Sequence, residues 1–230
     1  MLRRIFQRLR ALFTPIRVLE DAGERVDIEF SSDLDFSRLD LYQKSHFSRY
    51  MFALDQIPAG GICGDFACGT GYGTAMLSQR ASRAIGADRN GNVIAAIRQR
   101  YARYSNLEYV EADLFALPYK SLFDAIVSFE TIEHFEEEDI VPLLKVFSSA
   151  LKPGGTLIFS TPFRQERTPE ALKLGFHKTF DIDQGRIRNW LLQVGLTPQE
   201  FYVQDYRTHR VVESLEKPDF IICMARLEAA

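Results

Sequence analysis

Two stretches of this chain carry residue types that could do chemistry at a telling spacing. The first is Asp65-Phe66-Ala67-Cys68-Gly69-Thr70-Gly71-Tyr72-Gly73-Thr74, where glycines alternate directly after a short apolar run. Alternating glycines let the main chain take positive φ and let a bulky ligand approach it closely. Where such a turn links a strand to a helix, its free N–H groups favour a negative or phosphate-like group, which narrows the ligand to a nucleotide-type cofactor. The second is Phe129-Glu130-Thr131-Ile132-Glu133-His134-Phe135, a burst of ionisable groups where an apolar strand ends. Histidine titrates near neutrality, so His134, beside Glu133, and the later His177 are candidates for the general base of a proton transfer. A loop in which His134 only binds backbone, and a helix merely capped by His177, would give the same letters without chemistry.

Between these stretches two acids close apolar runs. Asp88 ends Ala84-Ile85-Gly86-Ala87, and an acid about 20 residues after a glycine turn is placed to bind both hydroxyls of a ribose. Asp113, in Val110-Glu111-Ala112-Asp113-Leu114, could accept from an adenine amine while Leu114 packs on the ring. Each acid alone has an ordinary explanation, since an acid after a strand often caps the next helix and Asp113 could simply close a turn. Their joint order, one per strand, is much harder to produce by chance. A dinucleotide fingerprint, G-x-G-x-x-G, fits less well, because its third glycine would fall on Thr74.

The elements that must position these groups follow from periodicity. Ile62–Ala67, Arg83–Asp88, Leu107–Glu111, Ala125–Phe129, Gly155–Thr161, Thr197–Gln204 and Phe220–Arg226 read as strands. Leu41–Leu54, Gly73–Ser82, Val93–Tyr104, Ile140–Leu151 and Asp183–Val194 read as helices. Strands alternating with helices predict an α/β fold with a doubly wound, mostly parallel sheet. The last two strands lack an intervening helix, which predicts an antiparallel pair at one edge. Ligands of such sheets sit at the carboxyl ends of the strands, where all four features fall.

Length and composition bound the rest. A chain of 230 residues with 46% hydrophobic and 26% charged residues suits one generous soluble domain. A formal net charge of −3 gives no support for a nucleic-acid-binding surface over the whole molecule, and no nucleic-acid partner is expected. Cys63, Cys68 and Cys223 lack metal-ligand spacing and read as thiols in a reducing cytoplasm. No apolar run approaches the roughly 18 residues that span a bilayer. Residues 1–17 alternate Arg3, Arg4, Arg8 and Arg10 with an apolar face, a basic amphipathic helix that either docks on the domain or touches an anionic membrane surface weakly. The expected organisation is this helix and an acidic linker over 1–40, then the main domain over 41–230. The expected location is the cytoplasm, with a peripheral variant at the inner membrane face.

Taken in order, DFACGTGYGT, AIGADRN, YVEADLFALPY, FDAIVSFETIEHF and LKPGGTLIFSTP resemble the class I S-adenosylmethionine-dependent methyltransferases. GERV at 23–26, HFSRY at 46–50 and FHKTF at 176–180 resemble a bacterial subgroup whose genes often lie near those for cell-surface polysaccharides. The resemblance implies a Rossmann-like, seven-stranded sheet with its last strand antiparallel, and S-adenosylmethionine as cofactor. It implies that Gly69 and Gly71 let the backbone pass the methionine and ribose, with Asp65 ordering the loop from behind. It further implies that Asp88 holds the ribose, Arg89 lies along the adenine, Asp113 meets the adenine amine, and Arg49 pairs with the cofactor carboxylate. Glu130 joins this cofactor-binding set. Ala67 replaces a frequent first glycine, tolerable where φ is negative. The expected acceptor is a small molecule, first a hydroxyl of a saccharide or related metabolite. A lipid-linked or quinone-type acceptor and a catalytically silent cofactor-binding module are the alternatives. The spacing Glu130-x-x-Glu133-His134, completed by His177, would also suit a divalent cation, as in some methyltransferases with that pattern. The pattern is widespread in members without a metal, and none is expected.

Overall fold

The computed structural model describes residues 25–31 and 33–228, so the amphipathic helix expected over residues 1–17 lies outside the described residues. A single sheet organises the chain. Its strands are β1 (Ile62–Phe66), β2 (Arg83–Asp88), β3 (Leu107–Glu111), β4 (Phe123–Phe129), β5 (Leu151–Pro162), β6 (Leu196–Gln204), β7 (Val211–Val212) and β8 (Phe220–Leu227). They lie in the order β3-β2-β1-β4-β5-β8-β6-β7. β1 to β5 are mutually parallel, and β8 runs antiparallel to both β5 and β6. The sheet thus has eight strands where seven were expected. The extra one is the two-residue β7, too short for any alternation to announce it, and it pairs Val203 with Val212 at the edge. The antiparallel strand sits inside the sheet, between β5 and β6.

Six helices flank the sheet among the described residues: α1 (Leu41–Gln56), α2 (Tyr72–Leu77), α3 (Gly91–Arg100), α4 (Glu137–Ala150), α5 (Pro169–Leu174) and α6 (Gln184–Leu192). α1 starts on a capping box: the Asp40 carboxylate accepts from Gln43 N–H at 2.8 Å, and the Gln43 amide oxygen accepts from Asp40 N–H at 3.0 Å. α2 ends five residues earlier than its pattern suggested, at Leu77, and α5 was not foreseen.

Two apolar layers sandwich the sheet. One joins Phe66, Phe123, Phe147, Leu157, Ile187 and Trp190, with Phe66 and Phe123 packed edge to face at 5.4 Å. The other joins Tyr50, Ala53, Met76, Ile94 and Tyr109, and it takes in Val26, Ile28 and Phe30 from the segment before α1. That segment is stitched across the molecule as well, for Thr70 Oγ1 donates to Val26 O at 2.7 Å. Its position brings Arg25 to the carboxyl ends of the strands.

Candidate active site

The turn after β1 is held from three sides. Cys68 N–H donates to Ala87 O and Ala112 N–H donates to Asp88 O, both at 3.0 Å, so the ends of β1, β2 and β3 are locked in register. Gly69 (φ 52°) and Gly71 (φ 75°) take the left-handed conformation expected of them. A Cβ at Gly71 would lie 2.8 Å from the Tyr109 ring, so this glycine also admits a close aromatic neighbour. Ala67 departs from expectation: its φ is +64°, so the negative φ that would have excused the missing glycine is not adopted. The main chain must turn out of β1 here, and an alanine bears the strain.

Asp65 is buried behind the turn. It accepts from Thr74 Oγ1 at 2.6 Å and from Tyr50 Oη at 3.0 Å, tying α1 and the start of α2 to β1. Burial pushes its pKa up to about 6, against the opposing pull of those two hydrogen bonds. Gly73 makes this arrangement possible, since a Cβ there would lie 2.0 Å from the Tyr50 ring. Asp88 accepts from Gly69 N–H at 3.1 Å and from Asn90 N–H at 2.9 Å. Arg25 completes the cluster, its Nη2 lying 3.1 Å from Asp88 Oδ1, with the two side chains only 12% and 8% exposed.

The remaining cofactor candidates are more scattered. Arg89 and Asp113 are exposed, and Asp113 Oδ1 accepts from Phe115 N–H at 2.9 Å, closing a short 3₁₀ turn. Leu114 is buried in the layer with Phe66 and Ile85. Arg49 is 1% exposed. It donates to Gln204 Oε1 at 2.7 Å, stacks 4.3 Å from the Phe220 ring and faces Glu130 Oε1 at 3.9 Å, while its Nε is buried without a partner.

The loop after β4 gathers the candidate catalytic groups. Glu130 (φ 50°) turns its side chain onto Ser160 Oγ, which donates at 2.7 Å. Glu133 is 1% exposed and neither carboxylate oxygen has a hydrogen-bond partner among the described residues. Burial first, then the charge of Glu130, pushes its pKa up, with its own N–H, Thr161 and Arg49 pulling the other way. Its carbonyl accepts from Lys178 N–H at 2.8 Å and Thr179 N–H at 3.1 Å, which docks the segment after β5 onto this loop. His134 and His177 are therefore brought together, ring centroids 5.1 Å apart. His134 Nδ1 lies 2.9 Å from Phe176 O, and His177 Nδ1 lies 2.5 Å from Gln165 Oε1.

Sequence reasoning singled out the glycine turn, the two carboxylates and the histidines but missed Arg25, Thr74, Gln165 and Gln204. Arg25 lies inside the GERV motif, so a signal was present. The depression lined by Arg98, Tyr101, Tyr104 and Leu107 beside β3 holds none of these residues.

Strand order and site together place the chain in the Rossmann-like fold of methyltransferases. An S-adenosylmethionine-dependent methyltransferase from Mesorhizobium loti superposes with a TM-score of 0.64 at 22% identity, covering 79% of this chain and 99% of that one. The N-methyltransferase NodS from Bradyrhizobium japonicum, solved with S-adenosyl-l-homocysteine, gives a TM-score of 0.64 at 18% identity over 86% of this chain and 94% of its own. In sequence, residues 64–155 match the family model described as a methyltransferase domain. That stretch, which holds the glycine turn, Asp88, Asp113 and the Glu130–His134 loop, resembles the methyltransferase domains of S-adenosylmethionine-dependent enzymes. A probable S-adenosylmethionine-dependent methyltransferase of Mycolicibacterium smegmatis is 34% identical over 102 residues, 44% of this chain and 38% of that one. The chain spans roughly two fifths of the length of the curated relatives it matches. Among the described residues no helix is long and apolar enough to cross a membrane.

Proposed function

We propose that the protein transfers a methyl group from S-adenosylmethionine to a hydroxyl of a saccharide or related small metabolite. The observation that carries the hydroxyl reading is the buried Glu133 carboxylate, without hydrogen bonds, next to His134 and His177. Such a cluster suits taking a proton from a weak nucleophile, which an amine at neutral pH needs less.

The residues present fit the cofactor. A Cβ at Gly69 would meet nothing nearer than the Arg25 side chain, at 4.0 Å, so the turn is open to a ribose on that side. Asp88 offers the carboxylate for its hydroxyls, and the unpartnered Arg49 Nε offers a donor for a carboxylate. S-adenosylmethionine supplies the electrophilic methyl, on a sulfonium. Gly69 and Gly71 would let the main chain approach, Asp113 and Leu114 would border the adenine with Arg89, and Glu130 would hold Arg49 in place. Glu133, His134 and His177 would orient the acceptor and receive its proton.

Isothermal titration of the full chain with S-adenosylhomocysteine tests the cofactor site. Binding is expected, and it should be lost in Asp88→Ala. Gly69 N–H uses Asp88 Oδ2 and Asn90 N–H uses Oδ1, so Asp88→Asn keeps an acceptor for only one of them; thermal unfolding of both variants separates lost binding from lost folding. No binding by the unmodified protein, or unchanged binding by Asp88→Ala, refutes the assignment. An acceptor screen read by mass spectrometry tests the substrate class; transfer to amines alone would overturn the hydroxyl reading.

A further inference from the structure

We propose that Gln204 is a positioning residue of the cofactor site, turning one edge of the Arg49 guanidinium toward the carboxylate of the bound cofactor. This role rests on the cofactor reading given above; Gln204 is the residue it adds.

Gln204 ends β6 with its side chain fully buried. Its Nε2 donates to Ser45 O at 2.9 Å and to His209 O at 3.0 Å. Carbonyl oxygens only accept, so these two contacts fix which way the amide faces. Oε1 is thereby turned to α1, where it accepts from Ser45 Oγ at 3.0 Å and from Arg49 Nη1 at 2.7 Å. Both polar atoms of the side chain are used twice. A reversed amide would set an N–H against the guanidinium and leave both carbonyls facing an oxygen.

The consequence falls on Arg49. A guanidinium offers its donors as forks, and a carboxylate accepts two parallel N–H groups at once. With Nη1 held by Gln204, the fork that remains is the one formed by Nε and Nη2. Nε is buried without a hydrogen-bond partner, and Nη2 faces Glu130 Oε1 at 3.9 Å, beyond hydrogen-bond distance. That oxygen already accepts from Ser160 Oγ at 2.7 Å. The Phe220 ring, its centroid 4.3 Å from Arg49 Cζ, fixes the guanidinium plane. A buried cation with a buried N–H unused is incompletely compensated, and a carboxylate would compensate it. α1 carries this fork beside the glycine turn, since the next residue, Tyr50, donates to Asp65 Oδ1 at 3.0 Å behind that turn. Gln204 acts through Arg49 and needs no contact with the cofactor.

The test compares two ligands that differ only in the group Arg49 would hold. S-adenosylhomocysteine and its decarboxylated analogue, which keeps the amine, are each titrated into the full chain by calorimetry. The unmodified protein should prefer S-adenosylhomocysteine by at least about tenfold, because hydrogen bonds between charged groups are at stake. Gln204→Met, which nearly keeps the volume and removes the acceptor, should weaken S-adenosylhomocysteine about tenfold and leave the analogue unchanged. Gln204→Asn keeps a buried amide but draws it back by one methylene; it should show the same selective loss, and it carries the test if Gln204→Met does not fold. Equal weakening of both ligands would make Gln204 a general support of the sheet end and overturn the proposal. Unchanged binding of both ligands overturns it too. Equal affinity of the unmodified protein for the two ligands removes the carboxylate role of Arg49, and with it that of Gln204, while the adenosine contacts stand. Binding of neither ligand refutes the cofactor reading itself.

Discussion

Replacing Asp65 by asparagine should make this protein more stable and a poorer cofactor binder. The carboxyl is fully buried, and its pKa is about 6 when folded against 3.8 for an ordinary aspartate. The folded state therefore holds the proton more tightly than the unfolded chain. Its contribution is fully present below about pH 4, is lost as pH rises toward 6, and does not return above that. The interval amounts to about 3 kcal/mol destabilisation at neutral pH. Asparagine is never charged. It can still accept from Tyr50 or Thr74 through Oδ1, but Nδ2 must donate to the other hydroxyl, a rearrangement that costs about 1 kcal/mol. The expected net gain is about 2 kcal/mol at pH 8, with the two stability curves crossing at about pH 4.5. Urea unfolding of both proteins from about pH 4 to 8 measures this directly. His46, which burial holds well below the usual range, is common to both proteins, so its pH dependence cancels in the difference. Parallel pH dependences would refute the reasoning, since they would mean Asp65 is ionised equally in both states. The gain has a functional counterpart. S-adenosylmethionine brings a sulfonium and an ammonium, so a buried carboxylate kept at a cost in stability is explained by an incoming cation. Titration with S-adenosylmethionine should show weaker binding by Asp65→Asn; binding as tight as the parent protein's would remove that explanation.

Three further changes test the geometry of the turn and its surroundings. Ala67→Gly should raise stability by up to about 1 kcal/mol, because a left-handed φ costs an L-residue about 1–2 kcal/mol and the looser unfolded chain takes part of that back; thermal unfolding should show a rise of roughly 2–4 °C, and a fall would mean the strain is not there. Gly73→Ala should cost about 3 kcal/mol or more, since Tyr50 is wedged between Phe129 and Tyr72 and cannot retreat from a Cβ 2.0 Å away. Gly60→Ala, with open space but φ of 73°, should cost only about 1 kcal/mol, so equal losses in the two variants would contradict the packing argument. Arg25→Ala should tighten S-adenosylhomocysteine binding about tenfold, because the ribose would no longer compete with a charged hydrogen bond worth about 1.5 kcal/mol for Asp88 Oδ1. Weaker binding by that variant would instead make Arg25 a contact of the cofactor.

The parts legible in the sequence are those set by local pattern. β1 to β4 are short apolar runs that end in a glycine turn or an acid, so both their existence and their carboxyl ends could be read, and with them the positions of Gly69, Asp88, Asp113 and Glu130. What could not be read depends on partners far along the chain. Arg49 resembles a cofactor ligand by motif, yet its guanidinium meets Gln204, 155 positions further along the chain. Asp88 looks free for a ribose until Arg25, 63 residues earlier, is seen on it. The φ of Ala67 is invisible because alanine usually avoids that region, and only the turn out of β1 forces it there.

The Glu130–His134 loop shows most clearly why spacing alone was insufficient. As letters, Glu130 and Glu133 are interchangeable acids beside a histidine, and a pattern so common gave no ground to expect a metal. The backbone separates them. A positive φ at Glu130 aims its carboxylate back at β5 and Arg49, where Ser160 occupies it, whereas Glu133 sits on the following 3₁₀ turn and points into a space shared with His134 and His177. One acid is thereby held by Ser160 beside Arg49, and the other is left buried with no hydrogen bond among the described residues. The two imidazoles beside it are each set against an oxygen, Phe176 O and Gln165 Oε1, that no motif contains.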